Sequence, residues 1–238
     1  MHTPSSPARM LARRSFFRVA GAGAAATALV LTGCGDDDDP APVVGTNLLS
    51  LGSFVATPTS SPNLSVLNYA YLLEQLEAAF YDKVVTTPPT DLLPGELAYL
   101  TDLRDHELIH REYLKYALGT SAYDSTLATP LVFDFSTFTL TTRAGVWAAA
   151  RQLEEIGVAA YNGAAKYLTS AEYLNALGKL ASVEARHAAL VREVLQPGSF
   201  ADNVGTTGLD DAKTPAQVVA LIQPFVPVTI STANLPTT

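Results

Sequence analysis

Apolar residues recur every three or four positions in four long stretches of the chain, and in each stretch the apolar face is interrupted by acidic or imidazole side chains. From Asn63 to Val85 two neighbouring stripes run together: Leu67, Tyr71, Glu74, Ala78, Tyr81 and Val85 beside Val66, Ala70, Leu73, Glu77, Phe80 and Val84. That period predicts a helix, ended by Thr86-Thr87-Pro88-Pro89. It does not say whether Glu74 or Glu77 points inward. A second helix is predicted from near Pro94, suited to a first turn, to Leu118, with Gly119 as its carboxyl cap. Its stripe of Leu100, Leu103, Leu114 and Ala117 is completed by Glu107 and His110. His106 is turned by about 100° from Glu107, which puts it on the flank with Asp102. Four residues from His110, it is within reach of a shared metal.

The third predicted helix, Thr142 to Leu168, carries Trp147, Glu154, Val158, Tyr161, Ala165 and Leu168 on one stripe, whereas Glu155 aligns with Gln152, Asn162 and Lys166 and faces water or a partner. The fourth opens after Ser170, an amino-terminal capping residue, and stops before Pro197-Gly198. Tyr173, Leu177, Leu180, Glu184, His187, Val191 and Val194 form its stripe. Between the second and third helices, residues 120 to 140 lack helical period. The alternation Val132-Phe133-Asp134-Phe135 predicts a short strand there. So long a link lets the third helix start at the far end of a bundle. After a loop-like stretch, Thr214-Pro215-Ala216-Gln217 starts a short helix that ends near Pro224 and packs on the bundle. The fold class expected is all-α: a four-helix bundle with a long crossover between helices 2 and 3 and a short C-terminal helix.

The bundle repeats internally. Aligning Leu73 to Tyr81 with Leu153 to Tyr161 superposes Glu74 on Glu154 and Tyr81 on Tyr161, and sets Glu77 opposite Gly157. Glu107 to His110 matches Glu184 to His187, with 33 residues from Glu74 to Glu107 and 30 from Glu154 to Glu184. The chain therefore reads as two similar helical hairpins. The repeat selects Glu74 over Glu77 and brings six groups inward: Glu74, Glu107, His110, Glu154, Glu184 and His187. Four carboxylates packed together repel one another and lose hydration, at a cost of several kcal/mol. Two divalent cations neutralise all four and take the imidazoles as further ligands, so a dinuclear metal centre is the economical arrangement.

One glutamate from each of two helices and Glu-x-x-His from each of the other two make this sequence resemble the ferritin-like superfamily. LEQLEAAFY, LEEIGVAAY and SVEARHAA are similar in particular to the ferritin-like family that includes desiccation-related proteins. The resemblance covers about Asn63 to Gln196. It implies a ferritin-like four-helix bundle holding two iron or two manganese ions, with Glu107 and Glu184 bridging, Glu74 and Glu154 terminal, and His110 and His187 one to each metal. It places Tyr81 and Tyr161 near the metals as candidate catalytic residues, hydrogen-bonding a ligand or taking part in electron transfer. The activity implied is oxidoreductase chemistry on oxygen, peroxide or ferrous iron, of ferroxidase, peroxidase or catalase type. The alternative is a non-catalytic stress or desiccation-related envelope protein that keeps a structural metal site. Rubrerythrin-like relatives add a cysteine-rich iron domain, which the single cysteine of this chain cannot supply. Bacterioferritin-like relatives ligate haem through methionine, and both methionines here, Met1 and Met10, precede the bundle.

Composition changes the picture mainly at the amino terminus. Residues 1–33 hold four arginines and no acid, leaving the rest of the chain with eleven basic against 23 acidic residues, a net charge of −12 that disfavours nucleic acid as a partner. ARRSFFR, containing Arg13 and Arg14, precedes an apolar run from Val19 to Leu31 and resembles a twin-arginine export signal. The run is too short for a permanent span. It closes in Leu31-Thr32-Gly33-Cys34, which resembles a bacterial lipobox, with Cys34, the only cysteine, as the lipidated residue. Asp36 to Asp39 and the proline-rich stretch to Pro62 read as a tether. The expected organisation is thus signal peptide 1–33, tether 34–62, bundle 63–196 and C-terminal extension 197–238. The expected location is the cell envelope or periplasm, as a lipoprotein held at the membrane. The expected partners are metal ions, oxygen or peroxide, with assembly into a homo-oligomer left open and a storage shell disfavoured by the lipid tether.

Overall fold

The computed structural model describes residues 48–56, 61–202 and 204–238. The proposed signal and Cys34 lie outside these residues. The bundle consists of α1 (Pro62–Thr86), α2 (Glu96–Leu118), α3 (Arg143–Ala164) and α4 (Ala171–Leu195), with a short α5 (Pro215–Ile222) after it. Pro62 occupies the first turn of α1, where its missing N–H costs nothing. The hydroxyl of Thr142 accepts from Gly145 N at the start of α3, that of Ser170 from Tyr173 N at the start of α4, and Thr214 and Gln217 close a reciprocal capping box on α5.

Side-chain links across the bundle set its directions. Asn63, at the start of α1, accepts through Oδ1 from the backbone N–H of Thr169, beyond the end of α3, so α1 and α3 are antiparallel. Arg143, at the start of α3, donates to Glu96, at the start of α2, at 2.6–2.9 Å, and also to the Val194 carbonyl near the end of α4. Helices α2 and α3 therefore begin at the same end, and residues 119–142 run back along the length of the bundle. This is the far-end start that the length of the link predicted.

The expected strand within that link does not form. The alternation is real, with Phe135 buried and Val132 exposed. Among the described residues no strand lies alongside; Asp134 N–H donates to the Phe225 carbonyl, and the segment then turns, with Phe138 N–H donating to the Phe135 carbonyl. The strands that do form are β1 (Leu48–Leu49) and β2 (Thr229–Ile230), paired in parallel. Their position corrects the tether, which was expected to continue to Pro62. Leu49, Leu51 and Phe54 are buried in the core, and Phe54 meets Tyr69 and Tyr167 edge to face. Burial of such side chains contributes about 1.5–3 kcal/mol each. The C-terminal segment crosses α3 closely: Lys213 N–H donates to the Ala159 carbonyl, and a Cβ on Gly163 would lie 1.7 Å from the Lys213 carbonyl oxygen. Only glycine fits there.

Candidate metal centre

One glutamate enters the middle of the bundle from each of α1 and α3, and a Glu-x-x-His pair from each of α2 and α4. Glu74, Glu107, Glu154 and Glu184 have no solvent exposure, and His110 and His187 are buried. The three-residue spacing puts each glutamate and its histidine on one helical face.

The six residues form two overlapping clusters, Glu74, Glu107, His110 and Glu184, and Glu107, Glu154, Glu184 and His187, each with one ligand atom per residue lying within 4.8 Å of the others. Glu107 and Glu184 belong to both. Their two oxygens face different histidines: Glu107 Oε2 is 3.5 Å from His110 Nδ1 and Oε1 is 2.8 Å from His187 Nδ1, while Glu184 Oε1 is 2.8 Å from His110 Nδ1 and Oε2 is 3.7 Å from His187 Nδ1. Glu74 and Glu154 instead divide their oxygens between a cluster and a tyrosine. Glu74 Oε2 is 3.3 Å from His110 Nδ1 and Oε1 accepts from Tyr161; Glu154 Oε2 is 3.6 Å from His187 Nδ1 and Oε1 accepts from the Tyr81 hydroxyl at 2.5 Å.

The tyrosine links are crossed. Each tyrosine follows its own helix's glutamate by seven residues but serves the glutamate of the opposite, antiparallel helix. Replacing Tyr81 or Tyr161 by phenylalanine leaves a buried carboxylate oxygen without its donor, and each substitution is expected to lower stability by about 1–3 kcal/mol. Denaturant unfolding of the two variants checks this, and stability unchanged from wild type would refute it.

Chemically, the donor set fits a pair of cations. Glu74 Oε2, Glu154 Oε2, both oxygens of Glu107 and Glu184, and Nδ1 of both histidines are buried without a hydrogen-bond partner. The close imidazole–carboxylate approaches lack hydrogen-bond geometry, so these atoms converge without satisfying one another. Burial, reinforced by Glu184 and Glu107, pushes the Glu74 carboxyl well above its ordinary value; burial also raises Glu154, with Glu107 and Glu184 adding to it against the opposing pull of His187. Burial disfavours charge on the imidazoles too, but the surrounding carboxylates outweigh it, Glu107 and Glu184 most, and push His110 up to about 12 and His187 to about 11. Burial opposes ionisation of Glu107, yet His110 and His187 hold its carboxyl below the usual range. Without metal, protons on the imidazoles supply the positive charge that the carboxylates require.

A sequence profile of a ferritin-like domain matches residues 63–197, more than half of the chain. The chain belongs to the ferritin-like domain family. No curated protein matches it.

His106 lies on the exposed flank, as its helical position predicted, and is in neither cluster; its ring stacks 6.5 Å from that of His110 and 5.1 Å from that of His187, with Nδ1 2.9 Å from His187 Nε2, so it also touches the histidine of the opposite hairpin. Glu77, passed over in favour of Glu74, is buried as well. Positions i and i+3 share a helical face, so selecting one never excluded the other. The signal that marks Glu77 is the glycine opposite it, Gly157, which leaves its side chain room. Glu155 pairs with Arg151 at 2.8 Å and with the buried Arg192 at 3.0 Å, away from the clusters.

Proposed function

We propose that this ferritin-like domain holds two iron or two manganese ions, with Glu107 and Glu184 bridging them, Glu74 and His110 completing one site and Glu154 and His187 the other, and that it performs oxidoreductase chemistry on oxygen, peroxide or ferrous iron. The pair of carboxylates common to both clusters supports this most directly: each turns one oxygen toward each histidine. When bound, such a pair of ions supplies adjacent one-electron couples and Lewis acidity toward an oxygen-bearing substrate. Tyr81 and Tyr161 fix the outer oxygens of the terminal glutamates and leave the inner ones to the metals. His187, ligating through Nδ1, donates from Nε2 to His106; partial burial and the neighbouring His187 and His110 lower the His106 pKa, which suits an acceptor.

The complete burial of all four glutamates favours a second reading, a structural site, since structural metal sites are closed to substrate. Reconstitution of the purified chain, elemental analysis and assays of peroxide consumption and ferrous-iron oxidation separate the readings. Two ions with turnover support the first, two ions without turnover the second, and fewer than one ion per chain overturns both.

Export by a twin-arginine route and lipid attachment at Cys34 belong to the same proposal, supported by ARRSFFR, the apolar run and LTGC. Among the described residues no helix is long and apolar enough to cross a membrane. In bacterial cells Cys34→Ser is expected to move the protein from the membrane fraction to the soluble one; an unchanged distribution would refute the anchor.

A further inference from the structure

The crossover between α2 and α3 is tied to α1 at two places and stands off from it between them. Asn68 accepts from the backbone N–H of Tyr123 and donates to the Ser121 carbonyl, and the Tyr71 hydroxyl donates to Asp124 Oδ2 at 2.8 Å. Further along, Phe135 packs edge to face on Phe80, with ring centroids 5.7 Å apart. Between these attachments α1, α2 and the crossover enclose an open groove of about 650 Å³, a volume that suits a small organic molecule. Tyr71, Gln75, Ala79 and Lys83 run along it at four-residue intervals, on one face of α1.

The internal repeat gives this face a counterpart on α3. Gln75 and Ala79 match Glu155 and Ala159, and two residues beyond the aligned stretch Lys83 matches Gly163. There the protein meets the face with its own groups: Glu155 pairs with Arg151 and Arg192, Lys213 N–H donates to the Ala159 carbonyl, and the Lys213 carbonyl lies against Gly163. On α1 the polar group is left over. Gln75 Nε2 is buried without a hydrogen-bond partner, a state that costs more than leaving the amide in water. A donor in the wall of a groove, met by no acceptor of the chain, suits an acceptor from outside it.

The rim sets the charge of that acceptor. Lys83, Arg111 and Lys115, three of the eleven basic residues after residue 33, line this one groove in an otherwise acidic chain. Of the two acids that line it with them, Glu112 is held by Arg111 at 2.7 Å, and Asp124 accepts from Tyr71 with Lys115 at 4.0 Å. Lys83 is in no ion pair among the described residues, Asp134 lying beyond that distance. Leu127, Leu131, Phe133 and Phe135 supply apolar surface from the crossover, and rings pack well on such aromatic side chains. We infer that the groove binds an aromatic organic anion, with its ring system on the side chains of the crossover, its acidic group drawn by the three cations, and an oxygen accepting from Gln75 Nε2.

The test titrates the full chain with 8-anilinonaphthalene-1-sulfonate, an aromatic sulfonate, by fluorescence and calorimetry. N-phenyl-1-naphthylamine carries the same rings without the charge, and inorganic sulfate the charge without the rings. One sulfonate probe per chain is expected, bound at least tenfold more tightly than either control and more weakly as salt is raised. Gln75→Leu removes the donor, Ala79→Trp fills the groove, and Lys83→Glu with Lys115→Glu reverses the rim; each change is expected to weaken the probe at least tenfold. Circular dichroism is compared first, since unfolded chains also take up the probe. If Ala79→Trp or Gln75→Leu does not fold, the lysine double variant decides, both side chains being exposed. Undiminished binding in the folded variants would place the probe elsewhere and overturn the site. Equal affinity for the uncharged probe would overturn it as mere apolar adsorption, and failure of wild type to bind the sulfonate probe saturably would overturn it outright. None of the substituted residues belongs to the two ligand clusters, so the result is independent of the metal count.

Discussion

Replacing Glu107 by glutamine is expected to reduce the metal content of the reconstituted chain from two ions to less than one, and Glu184→Gln to do the same, whereas Glu74→Gln and Glu154→Gln each leave one ion in place. The difference follows from how the oxygens are shared. Both clusters draw on Glu107 and Glu184, so an amide at either position removes an anionic ligand from two sites at once. Glu74 and Glu154 give one oxygen to one cluster and the other to a tyrosine. Even outer-shell partners of metal ligands cost about 10–100-fold in affinity when removed, so loss of a shared ligand exceeds that. Elemental analysis after dialysis gives the counts. Two retained ions in Glu107→Gln would refute the bridging arrangement. The same variants bear on the role of the metals: a folded Glu107→Gln chain without turnover points to catalysis, and a chain that no longer folds points to a structural site.

The six ligand candidates were legible in sequence because each sits on an apolar stripe with a 3.6-residue period, and because the chain repeats its own pattern. The contacts that complete the centre were not, and each for a physical reason. The crossed tyrosine bonds depend on α1 and α3 being antiparallel neighbours, a relation between segments some 80 residues apart that local period does not carry. His106 reaches His187 from the other hairpin. Repeat symmetry, which settled Glu74, misdirected the reading of Glu77, because the structure departs from symmetry at that one pair. Outside the site, β1 and β2 have two residues each, too few to show alternation. Leu49, Leu51 and Phe54 were hidden in a proline-rich stretch whose composition suggested solvent. Composition reports the average of a segment, whereas burial here is decided by three side chains.

With the proposed ligands, metal and protons compete for the same atoms, so the metal-free chain is expected to lose stability as pH rises from 6 to 9 while the metal-loaded chain gains on it. His110 and His187 have folded pKa values near 12 and 11, against an ordinary 6.5. Their protonated forms therefore contribute stability that is fully present below pH 6.5 and is lost as pH climbs toward 11 to 12, at up to about 1.4 kcal/mol per pH unit for each imidazole. Glu74, Glu77 and Glu154, also raised by burial, cost stability as pH passes 4.5 and act in the same direction. Glu107, held low, contributes stability present above its unfolded value and lost only in acid, below the window of the experiment. Metal binding reverses the trend. Each ion must displace an imidazolium proton, so affinity rises with pH, and an ion present at 100 times its dissociation constant adds about 2.7 kcal/mol. Thermal unfolding in chelator and in excess Mn2+ is expected to show a gap between the two melting temperatures that widens from pH 6 to pH 9. Calorimetry in buffers of different ionisation enthalpy is expected to find at least two protons released at pH 8 as the pair of ions binds. A gap that narrows with pH, or binding without proton release, would mean that His110 and His187 are not the ligands, because no other arrangement of these six groups leaves both imidazoles protonated beside bound cations.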